Sequence, residues 1–308
     1  MQGKLTIIVP VKKRDEFTAR FLRYHERLGY DIRVAEGDDP NTFTYFRKVL
    51  HALAVSTPYI MMADHDDLLI GMELERHVEF LENNPDYVAC GGRVAGFAIV
   101  GNRPYGGLRR FNECYSPFDM PRDFCNSAAE ARILSGFTNS WSYYSVMRQE
   151  AAFTIWKEIV ESGIGNLQVH EKFCAARLLS LGKVKGFPYI SYLKQYNTTV
   201  RDLSIEWIET AIRTDLTGDM ERAIRLITPH QATRNELRTR WIEWFIAFIW
   251  RTHGWRGWLG RWAKHNHPWI IRAWRNRPGW RHMFHAHIQM WLLGRPDPTL
   301  KREEGMVP

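Results

Sequence analysis

The sequence lacks the features that mark several classes of protein. It has only four cysteines in 308 residues and no CxxC pair, which excludes a disulfide scaffold and predicts reduced thiols. The longest apolar run, Trp241–Trp250, is ten residues long and contains Glu243, whereas a membrane-spanning helix needs about 18 apolar residues. Near the N-terminus, Leu5–Val11 is interrupted by Pro10 and has no small-residue cleavage site. A first strand is therefore expected there instead of a signal peptide, in a cytoplasmic protein.

Acidic residues are scarce in the last part of the chain, and this scarcity sets the overall charge. From Trp241 onward there are eleven Lys and Arg against four Asp and Glu, a local net charge of +7 out of +8 for the whole protein. Ten of the 13 Trp lie in the same part. The positive charge is therefore informative about the binding partners of this region and not about those of the rest of the chain.

Hydrophobic residues make up 45% of the chain, enough for a sizeable core, and strand and helix patterns alternate through residue 91. This alternation predicts an α/β fold with a mostly parallel sheet. Strands are expected at Lys4–Pro10, Ile32–Ala35, Tyr59–Ala63, Tyr87–Gly91, Ser140–Met147 and Lys183–Tyr192. Helices are expected at Asp15–Tyr30, Asn41–Ser56, Glu73–Asn83, Gln149–Ser162 and His170–Leu181, with an irregular region over 97–135 and helices from Leu203 onward.

The strongest local signal is Asp64-His65-Asp66-Asp67, which directly follows an apolar strand. Ligands bind at the carboxyl ends of strands in α/β sheets, and three neighbouring carboxylates repel each other unless something neutralises them. A divalent cation such as Mg²⁺ or Mn²⁺ accepts oxygen ligands together with substrate phosphates. The alternative is an acidic turn that caps the next helix.

Four segments resemble the nucleotide-sugar glycosyltransferases of the GT-A fold, in particular the large inverting family 2 and its bacterial surface-polysaccharide relatives. These segments are KLTIIVPVKKR, AEGDD, TPYIMMADHDDLL and VHEKFCAARLLSLGKVK. The resemblance covers roughly residues 4 to 95 and returns at 169–185. It implies a GT-A catalytic domain over 1–200, with a donor half at about 1–96 and an acceptor half at about 97–200. A helical C-terminal region over 201–308, basic and Trp-rich from about 240, would follow.

The resemblance also implies how a donor would be held. Pro10 and Val11 would lie in the loop that holds the nucleotide base, and Glu36 or Asp38 would take the place of an Asp that hydrogen-bonds uracil. This chain has Glu-Gly-Asp-Asp where the family usually has Asp-Gly-Ser or Asp-Asp-Gly-Ser. Asp64 would contact the ribose, and Asp66 together with Asp64 would hold the Mg²⁺ or Mn²⁺ that bridges the diphosphate. Asp67 would be an additional or supporting ligand.

The same resemblance assigns catalysis to a late helix. Glu171 takes the position of the family's catalytic base, which removes the proton of the acceptor hydroxyl in an inverting transfer. Two alternatives remain: Glu171 is an N-terminal helix acid favoured by the helix dipole, or His170 is the base. Trp141 is expected to stack on an acceptor sugar, or else to belong to the core.

The basic C-terminal region carries interrupted amphipathic helices. Aromatic and aliphatic residues recur on one helical face at Trp255, Trp258, Leu259 and Trp262, and again at Trp280, Phe284, Ile288 and Trp291. Trp beside Arg and Lys is typical of helices in an anionic membrane interface. We therefore expect 241–295 to contact such a surface, at the cytoplasmic face of the inner membrane. The alternative is packing on the catalytic domain or across a dimer interface.

Together these features predict a metal-dependent, inverting glycosyltransferase of the hexosyltransferase type. It would transfer a sugar from a nucleoside-diphosphate donor, first of all a UDP-sugar, to a glycan or lipid-linked acceptor in surface polysaccharide or glycolipid synthesis. One alternative is a sugar nucleotidyltransferase, although Val11-Lys12-Lys13-Arg14 lacks the glycines that such an enzyme's loop would need. Another is a non-catalytic nucleic-acid-binding protein using the basic aromatic region, which leaves the acids at the strand end unexplained.

Overall fold

The computed structural model describes residues 3–11, 14–26, 29–37, 42–100, 103–112, 121–137, 140–195 and 215–252. Within these ranges the chain forms eight strands in one sheet, eight α-helices and a short 3₁₀ helix. The strands are β1 (Leu5–Val11), β2 (Asp31–Glu36), β3 (Tyr59–Met62), β4 (Leu68–Leu69), β5 (Tyr87–Ile99), β6 (Leu108–Asn112), β7 (Val146–Arg148) and β8 (Lys183–Gln195).

The helices follow the strands in the alternation that the sequence predicts. They are α1 (Glu16–His25), α2 (Thr42–Ala52), α3 (Gly71–Asn83), α4 (Ala129–Gly136), α5 (Gln149–Ser162), α6 (Leu167–Leu181), α7 (Leu216–Ile227) and α8 (Gln231–Thr252). Asp15 begins α1 through a capping box with Thr18, and Gly163, in the left-handed conformation at a φ of 71°, ends α5. The predicted α/β class is thus confirmed.

The strand order across the sheet is β2-β1-β3-β7-β5-β8-β4, with β6 paired to β5. Among the described residues, β1–β2, β1–β3 and β5–β8 are parallel, and the remaining four pairs are antiparallel. The two longest ladders, β1–β2 and β5–β8, are parallel, so most paired positions are parallel, as expected. The antiparallel β7 lies between β3 and β5, which brings the residues entering β7 next to those leaving β3.

Three sequence expectations for the sheet need correction. Ser140–Met147 is not one strand, because Ser140–Tyr144 forms the 3₁₀ helix and only Val146–Arg148 pairs in the sheet. The region expected to be irregular contains the end of β5, β6 and α4. In addition, β8 continues past Tyr192 to Gln195, and the two-residue β4, which has too little pattern to predict, pairs with it.

Among the described residues, the buried hydrophobic side chains form one cluster that extends from Leu5 to Ile242. Its largest fully buried members are mostly aromatic: Trp141, Trp156, Tyr192, Phe21, Phe46 and Phe137. Of the four cysteines, the three that are described are free thiols, Cys90 and Cys174 buried and Cys125 exposed. The division into a 1–200 domain and a 201–308 region stays a prediction, but buried side chains of α7 and α8 belong to the same core cluster as those of the sheet.

The beginning of the Trp-rich region packs on this core. Trp241 is 3% exposed and its ring lies 6.5 Å from that of Phe137, and the Lys172 ammonium lies 4.1 Å from the centre of the Trp244 ring. For these two tryptophans the structure shows the packing alternative. The predicted helical faces of 253–308 lie outside the described residues. Among the described helices, none combines the length and the apolarity that crossing a membrane requires.

Candidate active site

Four of the five predicted donor-binding residues, Pro10, Val11, Glu36 and Asp64, lie at one edge of the sheet. In the parallel ladder of β1 and β2, Pro10 pairs with Ala35 and Val11 with Glu36, and the carbonyl of Ile8 accepts from the amide of Ala63, directly before Asp64. The carboxyl ends of three parallel strands therefore lie side by side, as the fold class requires. Val11 is buried, whereas Glu36 is exposed and paired with Arg14 at 3.0 Å. Asp38 lies outside the described residues.

The acidic turn after β3 places three carboxylates together. One carboxylate oxygen each of Asp64, Asp66 and Asp67 lies within 4.8 Å of the others. Their environments differ: the Asp64 side chain is 40% exposed, whereas Asp67 is fully buried. The His65 side chain points away to α1, where its Nε2 is 3.4 Å from Asp15.

Asp67 fastens this turn to the sheet. Its Oδ2 accepts from the Tyr192 hydroxyl at 2.8 Å, and its Oδ1 accepts from the backbone amide of Gln195 at 2.8 Å. The pairing of β4 with β8 holds the same two segments together. Asp67 is therefore a structural carboxylate whose two oxygens are both engaged by β8.

Two cations from other parts of the chain lie against the acidic turn. The Lys194 ammonium on β8 contacts Asp64 Oδ2 at 2.6 Å and lies 3.8 Å from Asp67 Oδ2. Arg20, buried on α1, donates to the carbonyl of Asp66, and also to the Gln195 side chain at 2.8 Å and the Pro104 carbonyl at 2.7 Å. These two cations therefore neutralise part of the negative charge for which a divalent cation was expected.

The carboxylates respond differently to this environment. Burial would raise the pKa of Asp64, but the Lys194 ammonium and its hydrogen bond hold that pKa below its ordinary value. For Asp66, burial and then repulsion by Asp64 raise the pKa, and the attraction of His65 and Lys194 offsets this only in part. Asp66 thus keeps a charge repulsion that a bound cation would remove.

The donor atoms fit a hard divalent cation. The hydrogen bonds that Asp64 accepts from Lys194 and from the Tyr144 hydroxyl, the latter at 3.2 Å, both go to Oδ2, and its Oδ1 makes no hydrogen bond within the described residues. This oxygen and the Asp66 carboxylate are the ligand type that Mg²⁺ and Mn²⁺ prefer, and they are too few for a full coordination shell. Asp64 and Asp66 therefore fit a divalent cation that takes its remaining ligands from outside this turn.

Glu171 lies on the first turns of α6, and its carboxylate affects the pKa values of the same two partly buried tyrosines as the carboxylate of Asp64. Burial raises the pKa of both Tyr45 and Tyr144, and the carboxylates of Asp64 and Glu171 each raise these two pKa values further. The charges of both acids thus disfavour ionisation of the same two phenols. The helix α6 also packs against the 3₁₀ helix that carries Tyr144.

The other two sequence candidates lie in the interior. His170 is enclosed by Phe46, Trp156 and Tyr143, and burial lowers its pKa to about 3, so it lacks the proton affinity that a base at neutral pH needs. Trp141 is 1% exposed, which favours the alternative that it belongs to the core. Stacking on an acceptor sugar would need an exposed face of the indole ring, and the Trp141 ring is buried.

Four side chains of the site were missed in the sequence. Tyr192 and Lys194 belong to one face of β8, and their spacing of two is the only local signal, because alternate residues of a strand point the same way. Tyr144 comes just before β7, and the antiparallel pairing of β7 with β3 brings it to the end of β3. Arg20 is positioned by α1, which begins at the Asp15 cap. Neither has a sequence signal of its own.

Comparisons with known proteins give distant likenesses. No protein-family model matches the sequence, and no curated protein matches it. Residues 1–349 of S. aureus TarS are 12% identical at a TM-score of 0.40, over 80% of this chain and 80% of that chain. The same TarS segment in complex with UDP-GlcNAc is 12% identical at a TM-score of 0.46, over 80% of this chain and 73% of that one.

A further likeness is to a CMP:2-keto-3-deoxy-manno-octonic acid synthetase in complex with CTP. It is 10% identical at a TM-score of 0.29, over 68% of this chain and 100% of that chain. At these identities and TM-scores, the likenesses assign neither a family nor an activity to the chain.

Proposed function

We propose that this chain is a nucleotide-sugar glycosyltransferase that uses a divalent cation, Mg²⁺ or Mn²⁺, and inverts the anomeric centre. The observation that carries the proposal is the grouping of the Asp64 and Asp66 carboxylates at the carboxyl end of β3, which offers a place for a diphosphate and its cation. Glu171 lies on α6, which packs against the 3₁₀ helix of Tyr144, and the Tyr144 hydroxyl donates to Asp64. Glu171 would supply the carboxylate for the acceptor. The donor is a nucleoside-diphosphate sugar, with UDP as the first base to test.

The donor would lie along the strand ends. Val11 and Glu36 stand next to each other in the β1–β2 ladder, and the backbone amide of Gly37 donates to the Val11 carbonyl at 2.9 Å. A base bound there would place its diphosphate towards Asp64, since β3 is the neighbouring strand. A cation held by Asp64 and Asp66 would supply positive charge that stabilises the leaving diphosphate.

The transfer needs a base for the acceptor. The carboxylate of Glu171 would take the proton of the acceptor hydroxyl while that oxygen forms the new bond to the anomeric carbon. The bond from that carbon to the diphosphate oxygen breaks, and the electron pair leaves with the diphosphate. Attack from the face opposite to the diphosphate inverts the anomeric configuration. The acceptor would be a glycan or a lipid-linked saccharide.

A thermal-shift series tests the donor part of this proposal. The full chain is melted with UDP, GDP, CDP and ADP, with the corresponding triphosphates and with UDP-sugars, each with Mn²⁺ and with EDTA. A ligand present at about 100 times its dissociation constant stabilises the folded state by about 2.7 kcal/mol. We expect the largest rise in melting temperature for a nucleoside diphosphate with Mn²⁺. No rise with any nucleotide would contradict the proposal, and a rise with nucleoside triphosphates alone would favour a nucleotidyltransferase.

A further inference from the structure

A largely buried ammonium lies against the acidic turn and contacts the carboxylate that would bind the cation. The Lys194 side chain is 17% exposed, and its Nζ lies 2.6 Å from Asp64 Oδ2 and 3.8 Å from Asp67 Oδ2. Because Asp67 is held by Tyr192 and Gln195, its position does not depend on Lys194 alone. Of the two carboxylates, Asp64 is thus both the closer and the more exposed partner of the ammonium.

The aromatic ring of Tyr144 keeps the ammonium in this place. Lys194 Nζ lies 4.2 Å from the centre of that ring and donates to its hydroxyl at 2.6 Å. The same hydroxyl donates to Asp64 Oδ2 at 3.2 Å. Lys194, Tyr144 and Asp64 thus form a closed triangle of contacts, which holds a positive charge within hydrogen-bond distance of Asp64.

A divalent cation at Asp64 and Asp66 would meet this charge directly. Two positive charges a few ångströms apart in a partly buried site repel each other strongly, because the effective dielectric constant there is far below that of water. Lys194 already satisfies one oxygen of Asp64, so a cation must either displace the ammonium or bind beside it. Either route weakens the binding of the cation by itself.

We propose that Lys194 is an internal competitor of the divalent cation, which keeps the acidic turn from binding a cation without a nucleotide. The proposal rests on the cation site in the proposed function. The negative charge of a diphosphate would offset the repulsion between the ammonium and the cation, so that cation and donor bind together. Lys194 is accordingly a positioning residue that sets the order of binding. It is not a catalytic residue.

The test uses Mn²⁺ alone, without nucleotide, on the full chain. Lys194→Met keeps the length of the side chain and removes its charge. The matched control is Lys185→Met on the same strand. Lys185 lies away from the acidic turn, and its Nζ is 2.5 Å from Asp123 Oδ2. Free Mn²⁺ is measured by electron paramagnetic resonance during a titration. We expect Lys194→Met to bind Mn²⁺ at least about tenfold more tightly than the wild type, and Lys185→Met to match the wild type.

Three outcomes of this experiment would contradict the role of Lys194. Equal Mn²⁺ affinity in Lys194→Met and the wild type would overturn the proposal, and so would an equal gain in Lys185→Met. If Lys194→Met does not fold by itself, because Asp64 loses its counter-charge, the proposal requires Mn²⁺ to restore folding, as measured by circular dichroism. Failure of Mn²⁺ to restore folding would overturn it.

A second titration separates this proposal from the proposed function. Wild-type protein is titrated with Mn²⁺ in the presence of UDP. If the wild type binds Mn²⁺ tightly with UDP, but Lys194→Met has no higher Mn²⁺ affinity than the wild type without UDP, only the role of Lys194 is refuted. If Lys194→Met has a higher Mn²⁺ affinity than the wild type, but UDP does not change the Mn²⁺ affinity of the wild type, the donor class is refuted and the competition at Asp64 is supported.

Discussion

The two sides of the candidate site are assembled in different ways. The acidic side comes from one turn, Asp64 to Asp67, which is continuous in the sequence. The opposite side comes from Tyr144, Tyr192 and Lys194, whose bonds to the turn join residues 80 to 130 positions apart. A motif therefore shows where charge collects, whereas the fold decides which of those charges are already neutralised inside the chain.

The three aspartates consequently have separate roles. Asp67 is engaged by β8 on both oxygens, Asp64 is shared between Lys194 and solvent, and Asp66 keeps repulsion from Asp64 that its neighbours offset only in part. The motif by itself presents three neighbouring carboxylates, and only the family resemblance implied different roles for them. Substitutions at Asp66 and Asp67 should have different effects on activity and on stability.

The largest expected effect is that of Asp66→Asn. Loss of the carboxylate would remove a proposed cation ligand, so turnover of the nucleotide-sugar donor should fall by at least about 10³-fold. The free energy of unfolding should stay the same or rise slightly, because the neutral amide is not repelled by Asp64. Donor turnover and urea denaturation measure the two effects. Asp86→Asn, at an exposed pair with Lys183, is the control, and undiminished turnover in EDTA would contradict the cation role.

Glu171→Gln should have the next largest effect. It keeps the size of the side chain but removes proton acceptance, so turnover should fall by about 10²-fold while UDP binding persists. Glu161→Gln, at an exposed side chain on α5, should leave turnover unchanged. Near wild-type turnover in Glu171→Gln would show that Glu171 is only an acid at the start of a helix.

Asp67→Ala should act on stability. The variant leaves the buried Tyr192 hydroxyl and the Gln195 amide without their acceptor, which costs about 2–4 kcal/mol in the free energy of unfolding. Tyr192→Phe removes the bond to Asp67 and also the acceptor of the Asp64 backbone amide, and should cost about 1–3 kcal/mol. Urea denaturation checks both values. A stable Asp67→Ala protein that has lost cation binding would instead make Asp67 a ligand.

The smallest effect concerns the basic C-terminal region. A chain ending at Thr252 keeps the buried Trp241 and removes 253–308, which carry most of the positive charge of that region. We expect the full chain to co-sediment with anionic liposomes at low salt and to be partly released at high salt, because screening weakens the attraction. The shortened chain should lose this binding and keep UDP binding. Equal sedimentation of both chains would favour the packing alternative.

Much of the fold is predictable because its elements are long and periodic. Gln149–Ser162 is a helix with the predicted bounds, and Tyr59–Met62 is a buried strand that ends one residue before its predicted end. The 3₁₀ helix at Ser140–Tyr144 and the two-residue β4 could not be predicted, because segments this short have no period to detect. They are nevertheless the segments that bring Tyr144 and β8 to the acidic turn.

Three features are already evident in the amino-acid sequence: the α/β class, the strand that ends at the acidic turn, and the separation of a nearly neutral main part from a basic, Trp-rich end. These depend on local periodicity and on composition, which each segment carries alone. Three further features emerge only from the folded arrangement: Lys194 pairs with Asp64, both oxygens of Asp67 are engaged by β8, and His170 and Trp141 lie in the interior. Electrostatic pairing and burial depend on distances in space, and no local pattern encodes which distant strand will supply the opposite charge.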